Sequence, residues 1–156
     1  MDIALGIGEY AVSNRPEDVL KTYALGSCVA LLMYQPGVKL MAMAHIALPD
    51  SRLSPELARR RPAYFADTAV ALLIHKIAGE YRCPFDRLIV GMIGGAEALS
   101  AADVFQVGTR NLAAIETALR QYRLRGRRID TGGLWARSVA ARVADGEVSI
   151  YLYPMG

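Results

Sequence analysis

CVALLMYQPGVKLMAMAHIAL, residues 28–48, decides the fold. Residues 29–34 and 38–44 are almost continuously apolar, as expected of strands covered on both faces. Pro36-Gly37 between them suits a tight turn, because proline presets φ and glycine supplies a positive φ. If those two residues are the whole loop, Gln35 faces Val38 and Cys28 faces His45. The thiol and one of the chain's two histidines then share a face, with Cβ atoms roughly 4.5–5.5 Å apart.

Working outward, residues 3–13 read as a further strand. RPAYFADTAVALLIHKIAGEYR (61–82) reads as a helix with Phe65, Ala69, Leu72, Leu73 and Ile77 on one stripe. RLIVGMIGG (87–95) is a buried strand running into a glycine turn. TRNLAAIETALRQYR (109–123) is a second helix, with Leu112, Ile115, Leu119 and Tyr122 on one face. Gly126 sits where a helix C-terminus often takes a left-handed residue. SVAARVA and EVSIYLY flank Asp145-Gly146, a two-residue hairpin signal. Strands, helix, strand, helix and strands predict one α/β or α+β domain over residues 1–156, with helices on a mostly antiparallel sheet.

Composition sets the class. Of 156 residues, 53% are hydrophobic and 21% charged, which suits a globular chain and excludes a disordered one. No apolar run reaches the length of a membrane span. The start, MDIALGIGEY, lacks the basic stretch and cleavage site of a signal peptide. A cytoplasmic protein whose two cysteines are thiols is the expectation. The net charge is +3, and arginines cluster at 52–61 and 120–128. These clusters form either a solvated face or a docking surface for an acidic partner. Nucleic acid is set aside, because no aromatic residues interleave with the basic ones.

Cys28 beside His45 makes an activated nucleophile, since a neighbouring histidinium favours the reactive thiolate. Gly26 lets the chain turn and leaves room for a carbonyl near the Ser27 and Cys28 amides, a candidate oxyanion site. Alone, Cys28 reads equally as a small buried hydrophobe. A triad needs a group that orients the imidazole. Thr22 lies six residues before Cys28, on the strand entering the turn, and its hydroxyl can accept from the ring N–H. GIGEYA (6–11) has the outline of a dinucleotide loop, but VSNRPED follows it instead of a helix. Cys28, Cys83, His45 and His75 match no zinc spacing. His75 falls off its helix stripe, Cys83 reads as packing, and GGAEA (94–98) reads as a structural turn or the border of an anion site.

These residues carry a resemblance. GIGEYAV (6–12), Thr22, LGSCV (25–29), HIALP (45–49), YFADTAVALL (64–73), GGA (94–96), VGTRN (107–111) and DTGG (130–133) are similar to the chemoreceptor glutamine deamidases of bacterial chemotaxis, the CheD family. The resemblance implies a three-layer sandwich with a mixed sheet. It implies Cys28 as nucleophile, His45 as base and Thr22 as its orienting partner, with no metal or organic cofactor. The implied reaction converts glutamines of methyl-accepting receptor helices to glutamate and releases ammonia. A CheC-type phosphatase is an implied second partner. Met92-Ile93 stands where the family usually carries a lysine and an aromatic, and Ala136 where it tends to glycine. Two rivals remain at this level. One is a receptor glutamate methylesterase, and the other is an adaptor that binds receptor and phosphatase without catalysis.

Overall fold

A computed structural model describes residues 1–97 and 105–155. In chain order the strands are β1 (Asp2–Leu5), β2 (Tyr10–Ser13), β3 (Val19–Leu25), β4 (Val29–Gln35), β5 (Leu40–Ile46), β6 (Ile89–Gly94), β7 (Gly126–Thr131), β8 (Trp135–Arg142) and β9 (Val148–Pro154). The helices are α1 (Pro55–Arg60), α2 (Ala66–His75) and α3 (Val107–Arg120). The strands form a five-stranded sheet in the order β2-β5-β4-β6-β7 and a four-stranded sheet in the order β1-β3-β8-β9. The β1–β3 and β6–β7 pairs are parallel and the other pairs antiparallel. The three layers are therefore sheet, sheet and helices.

β4 and β5 are buried along nearly their whole length because both of their faces are covered. Val29, Leu31, Met33, Ala42, Ala44 and Ile46 face the helices, against Ala69, Leu73, Leu112, Ile115 and Leu119. Ala30, Leu32, Met41 and Met43 face the second sheet, against Leu5, Leu20, Leu25, Val139 and Ala141. The continuous apolar runs follow from this double coverage.

The β4–β5 loop is longer than the sequence suggests. Gln35 pairs with Leu40, so Pro36–Lys39 form a four-residue loop. The physical reason is Pro36. Two-residue hairpins need a positive φ at their first central position, and proline is locked near −65°. Lys39, not Gly37, takes the left-handed conformation, with φ 52°. The β8–β9 hairpin lengthens in the same way, with Ala141 opposite Val148. There Val143 is pulled into the core: its N–H donates to Asp18 O, and its carbonyl accepts from Tyr34 Oη at 2.8 Å.

Three other expectations are corrected. Residues 3–13 are not one strand; the chain turns at Gly6–Gly8 and places β1 and β2 in different sheets. The helix expected over 61–82 is regular only over α2, with a short 3-10 turn before it and a π turn after it. Arg123, with φ 58°, is the left-handed residue after α3, whereas Gly126 opens β7.

Candidate functional site

His45 lies on β5, opposite Ala30 on β4, and faces the second sheet. Thr22 meets it from β3, so the two layers bring the pair together. Thr22 Oγ1 stands 2.9 Å from the carbonyl of Leu5, its ladder partner on β1, and 2.6 Å from His45 Nδ1. A hydroxyl carries one proton. The Leu5 carbonyl can only accept, so the Thr22 hydroxyl donates to it. Toward His45 the hydroxyl oxygen must then accept, and the ring proton sits on Nδ1. This assignment comes from the hydrogen-bond network. It leaves His45 Nε2 as a bare lone pair, and that atom is buried with no hydrogen-bond partner among the described residues.

Burial is the main influence on the ring's basicity. It pulls the His45 pKa from 6.5 down to about 4, while the Glu9 carboxylate pulls weakly the other way. At neutral pH the imidazole is a neutral base.

Cys28 is half-buried, just before β4, and packs against the cluster between the sheets. It does not lie directly opposite His45. The ladder runs from Gln35↔Leu40 to Val29↔Ile46, and one further step would set Cys28 against Ala47. Cys28 is thus the diagonal neighbour of His45, at about 7–8 Å or somewhat less between Cβ atoms. The register shift is two residues, an even number, so thiol and imidazole keep the same face. Burial also pushes the Cys28 thiol above its ordinary value. Burial thus opposes both charged forms, the thiolate and the imidazolium. The site's available chemistry is transfer of the thiol proton to Nε2 as sulfur attacks.

The segment before β4 is tied down on its carbonyl side. Gly95 N donates to Cys28 O at 2.9 Å and Ala96 N to Gly26 O at 2.8 Å. Gly94 is required for this approach, because its φ is 114° and a Cβ there would stand 2.4 Å from Cys28 O. Gly26 is not needed for its φ. The positive φ in the entering bulge belongs to Ala24, at 56°, and a Cβ on Gly26 would meet only the Met155 methyl, at 3.5 Å. Among the described residues the amides of Ser27 and Cys28 donate to no protein acceptor.

Asn111 was missed as a site residue. It is fully buried on α3, and its Nδ2 donates to Ser27 O (2.9 Å) and Ala47 O (3.0 Å). The signal was present: Asn111, Ile115 and Ala118 share a buried face, and a polar residue on such a stripe needs a partner. Arg137 is also buried. It donates to Gly132 O, Trp135 O and Asp130 Oδ1, fixing the β7–β8 loop. That loop packs beside the site through Gly132 N to Gly94 O and Glu97 N to Gly133 O. Its Leu134 and Trp135 side chains are exposed. Ala98, the last residue of GGAEA, lies outside the described residues.

The remaining candidates separate. Cys83 belongs to the helix-side core and His75 is exposed, so neither joins Cys28 and His45. The two arginine clusters lie at different places. Arg61 donates to Ile7 O, next to Gly8, whose N–H donates to His45 O. Arg123 and Arg125 lead into β7 at Gly126, which pairs with Val90, and Arg127 and Arg128 follow on the strand, whereas the site lies beside Gly94. Four residues of strand, about 13 Å, separate those two levels.

Residues 47–151 match the family model described as CheD chemotactic sensory transduction, a span that begins two residues after His45. The chain is 40% identical over 150 residues to the probable chemoreceptor glutamine deamidase CheD of Syntrophotalea carbinolica, covering 96% of this chain and 93% of that protein. It is 37% identical over 148 residues to the probable chemoreceptor glutamine deamidase CheD 2 of Anaeromyxobacter dehalogenans, covering 95% and 92%. It is 36% identical over 150 residues to the chemoreceptor glutamine deamidase CheD of Thermotoga maritima, covering 96% and 91%.

Proposed function

The chain belongs to the CheD family, and from that premise we propose that it hydrolyses the side-chain amide of chemoreceptor glutamines, with Cys28 as nucleophile, His45 as base and Thr22 as its orienting partner. The observation that carries the assignment of roles is the bare, buried His45 Nε2, whose tautomer follows from the Thr22 hydrogen bond.

In this reaction His45 Nε2 takes the Cys28 proton as sulfur attacks the glutamine Cδ. The open Ser27 and Cys28 amides receive the negative oxygen that forms. The C–N bond then breaks, and the imidazolium proton leaves with nitrogen as ammonia. Water adds to the resulting thioester and gives its proton to His45. The carbon–sulfur bond breaks, sulfur recovers the proton, and glutamate is released. While protonated, the buried imidazolium is stabilised by its Nδ1–H bond to Thr22, which becomes charge-assisted. The reaction needs no metal or organic cofactor.

The substrate is a receptor helix in the cytoplasm. Arg61 binds the turn that holds β5, and with Arg59 and Arg60 just before it provides positive charge for an acidic helix surface. A CheC-type phosphatase covering the exposed Leu134 and Trp135 is a second partner in this reading. The test is mass spectrometry of receptor helices after incubation with the protein. Conversion of glutamine to glutamate supports the reading. Hydrolysis of glutamate methyl esters with no change at glutamine favours the esterase, and no change at either favours the adaptor.

A further inference from the structure

The β4–β5 ladder ends at Val29↔Ile46. One step beyond, the two chains are still held together, but by a side chain. Asn111 Nδ2 donates one bond to Ser27 O and one to Ala47 O, at 2.9 and 3.0 Å. A carboxamide nitrogen has two protons, and both are used here. One of these carbonyls belongs to the peptide unit that also carries the Cys28 N–H.

That peptide unit is planar and trans, so its C=O and N–H point in opposite directions. Holding the Ser27 carbonyl toward α3 turns the Cys28 N–H away from α3. The Cys28 N–H has no acceptor among the described residues. The other carbonyl held by Asn111 lies two residues after His45, on the strand that presents the base. One side chain therefore sets the direction of the Cys28 amide and the separation of the segments carrying nucleophile and base. Among the described residues Asn111 Oδ1 is buried without a partner, and both hydrogen bonds of the side chain are made by its donor end.

We propose that Asn111 is a positioning residue that aims the Cys28 amide as an oxyanion donor. The inference rests on Cys28 being the nucleophile. Asn111 touches neither substrate nor reacting atoms; it acts through the Ser27–Cys28 peptide. It should therefore affect acyl transfer, which builds an oxyanion, and spare thiol alkylation, which builds none.

The experiment compares the wild type, Asn111→Leu and Asn111→Ser, with Cys28→Ala as reference. Turnover is measured on a receptor helix peptide and Cys28 alkylation with iodoacetamide. Removing an oxyanion donor outright costs about 10²–10³-fold in kcat. Misaiming one is expected to cost Asn111→Leu about 10–10²-fold, at unchanged KM and unchanged alkylation rate. Asn111→Ser, which keeps one donor, should fall between. Equal losses of turnover and alkylation would make Asn111 merely structural, and wild-type kcat in both variants would overturn the inference. On the wild type, amide hydrogen exchange at Cys28 should be fast. It should slow when a peptide with an aldehyde in place of the target carboxamide occupies the site. A Cys28 amide already protected in the free protein would also overturn the inference, whether or not the variants fold. Undiminished turnover in Cys28→Ala would instead bring down the underlying mechanism.

Discussion

Replacing Thr22 with valine keeps the side chain's outline and removes one oxygen. That oxygen stands 2.6 Å from His45 Nδ1 and 2.9 Å from Leu5 O, in a position with no solvent exposure. The variant leaves the ring N–H and the Leu5 carbonyl unpaired, at about 1–3 kcal/mol each. The denaturation midpoint should therefore fall by the equivalent of about 2–6 kcal/mol. Catalysis suffers for a separate reason. When His45 accepts the thiol proton, its bond to Thr22 becomes charge-assisted, and such bonds contribute about 1.5–3 kcal/mol. Losing that contribution in the transition state lowers kcat by about 10–10²-fold. KM should hold, because a buried Thr22 does not reach the substrate. Thr22→Ser keeps the hydroxyl and should retain most of the wild-type kcat. The assay is ammonia release from a receptor helix peptide across a range of concentrations, beside a urea melt of each variant. A Thr22→Val kcat within about twofold of wild type would refute the reasoning. So would a Thr22→Ser variant as slow as Thr22→Val.

Two further outcomes are expected. The folded protein resists protonating His45, whose pKa drops from 6.5 to about 4, while the unfolded chain accepts that proton from pH 6.5 downward. The stability from this group is thus fully present above pH 6.5 and lost as pH falls toward 4, by about 3 kcal/mol. Urea melts at pH 7, 5 and 4 should show that loss in wild type but not in His45→Gln, and parallel slopes would contradict it. Glutamine replacements at Arg59, Arg60 and Arg61 should weaken receptor association and its salt dependence, with kcat on bound substrate little changed. The same replacements at Arg123, Arg125 and Arg127, which lie toward the far end of β6, should do neither. Binding curves of both variants identical to that of the wild type would return all these arginines to a solvated face.

The sequence brings the candidate residues to one face but misses their register. The two apolar runs mark the covered hairpin, and parity carries Cys28 and His45 to one face even though the loop is two residues longer than Pro36-Gly37 alone. Thr22 was legible as an acceptor for the ring N–H, but not as the tip of a chain through Leu5. That chain depends on β1 lying parallel to β3 across 17 residues, which no local pattern encodes. The SVAARVA/EVSIYLY hairpin was legible, but its place in a second sheet was not: its neighbour β3 reads VLKTYAL with only a broken alternation of buried positions. Burial was not legible either, because a sequence carries none: His45 lies 2% exposed between two sheets.

The measurement closest to the central claim is an acid-quenched single turnover on a receptor helix peptide, followed by peptide mapping of the protein. If Cys28 attacks the glutamine Cδ, the peptide must appear as a thioester on Cys28 before glutamate accumulates. The adduct must be absent in Cys28→Ala and form far more slowly in His45→Ala. Glutamate forming at the wild-type rate in Cys28→Ala, with no adduct on the wild-type thiol, would contradict the account.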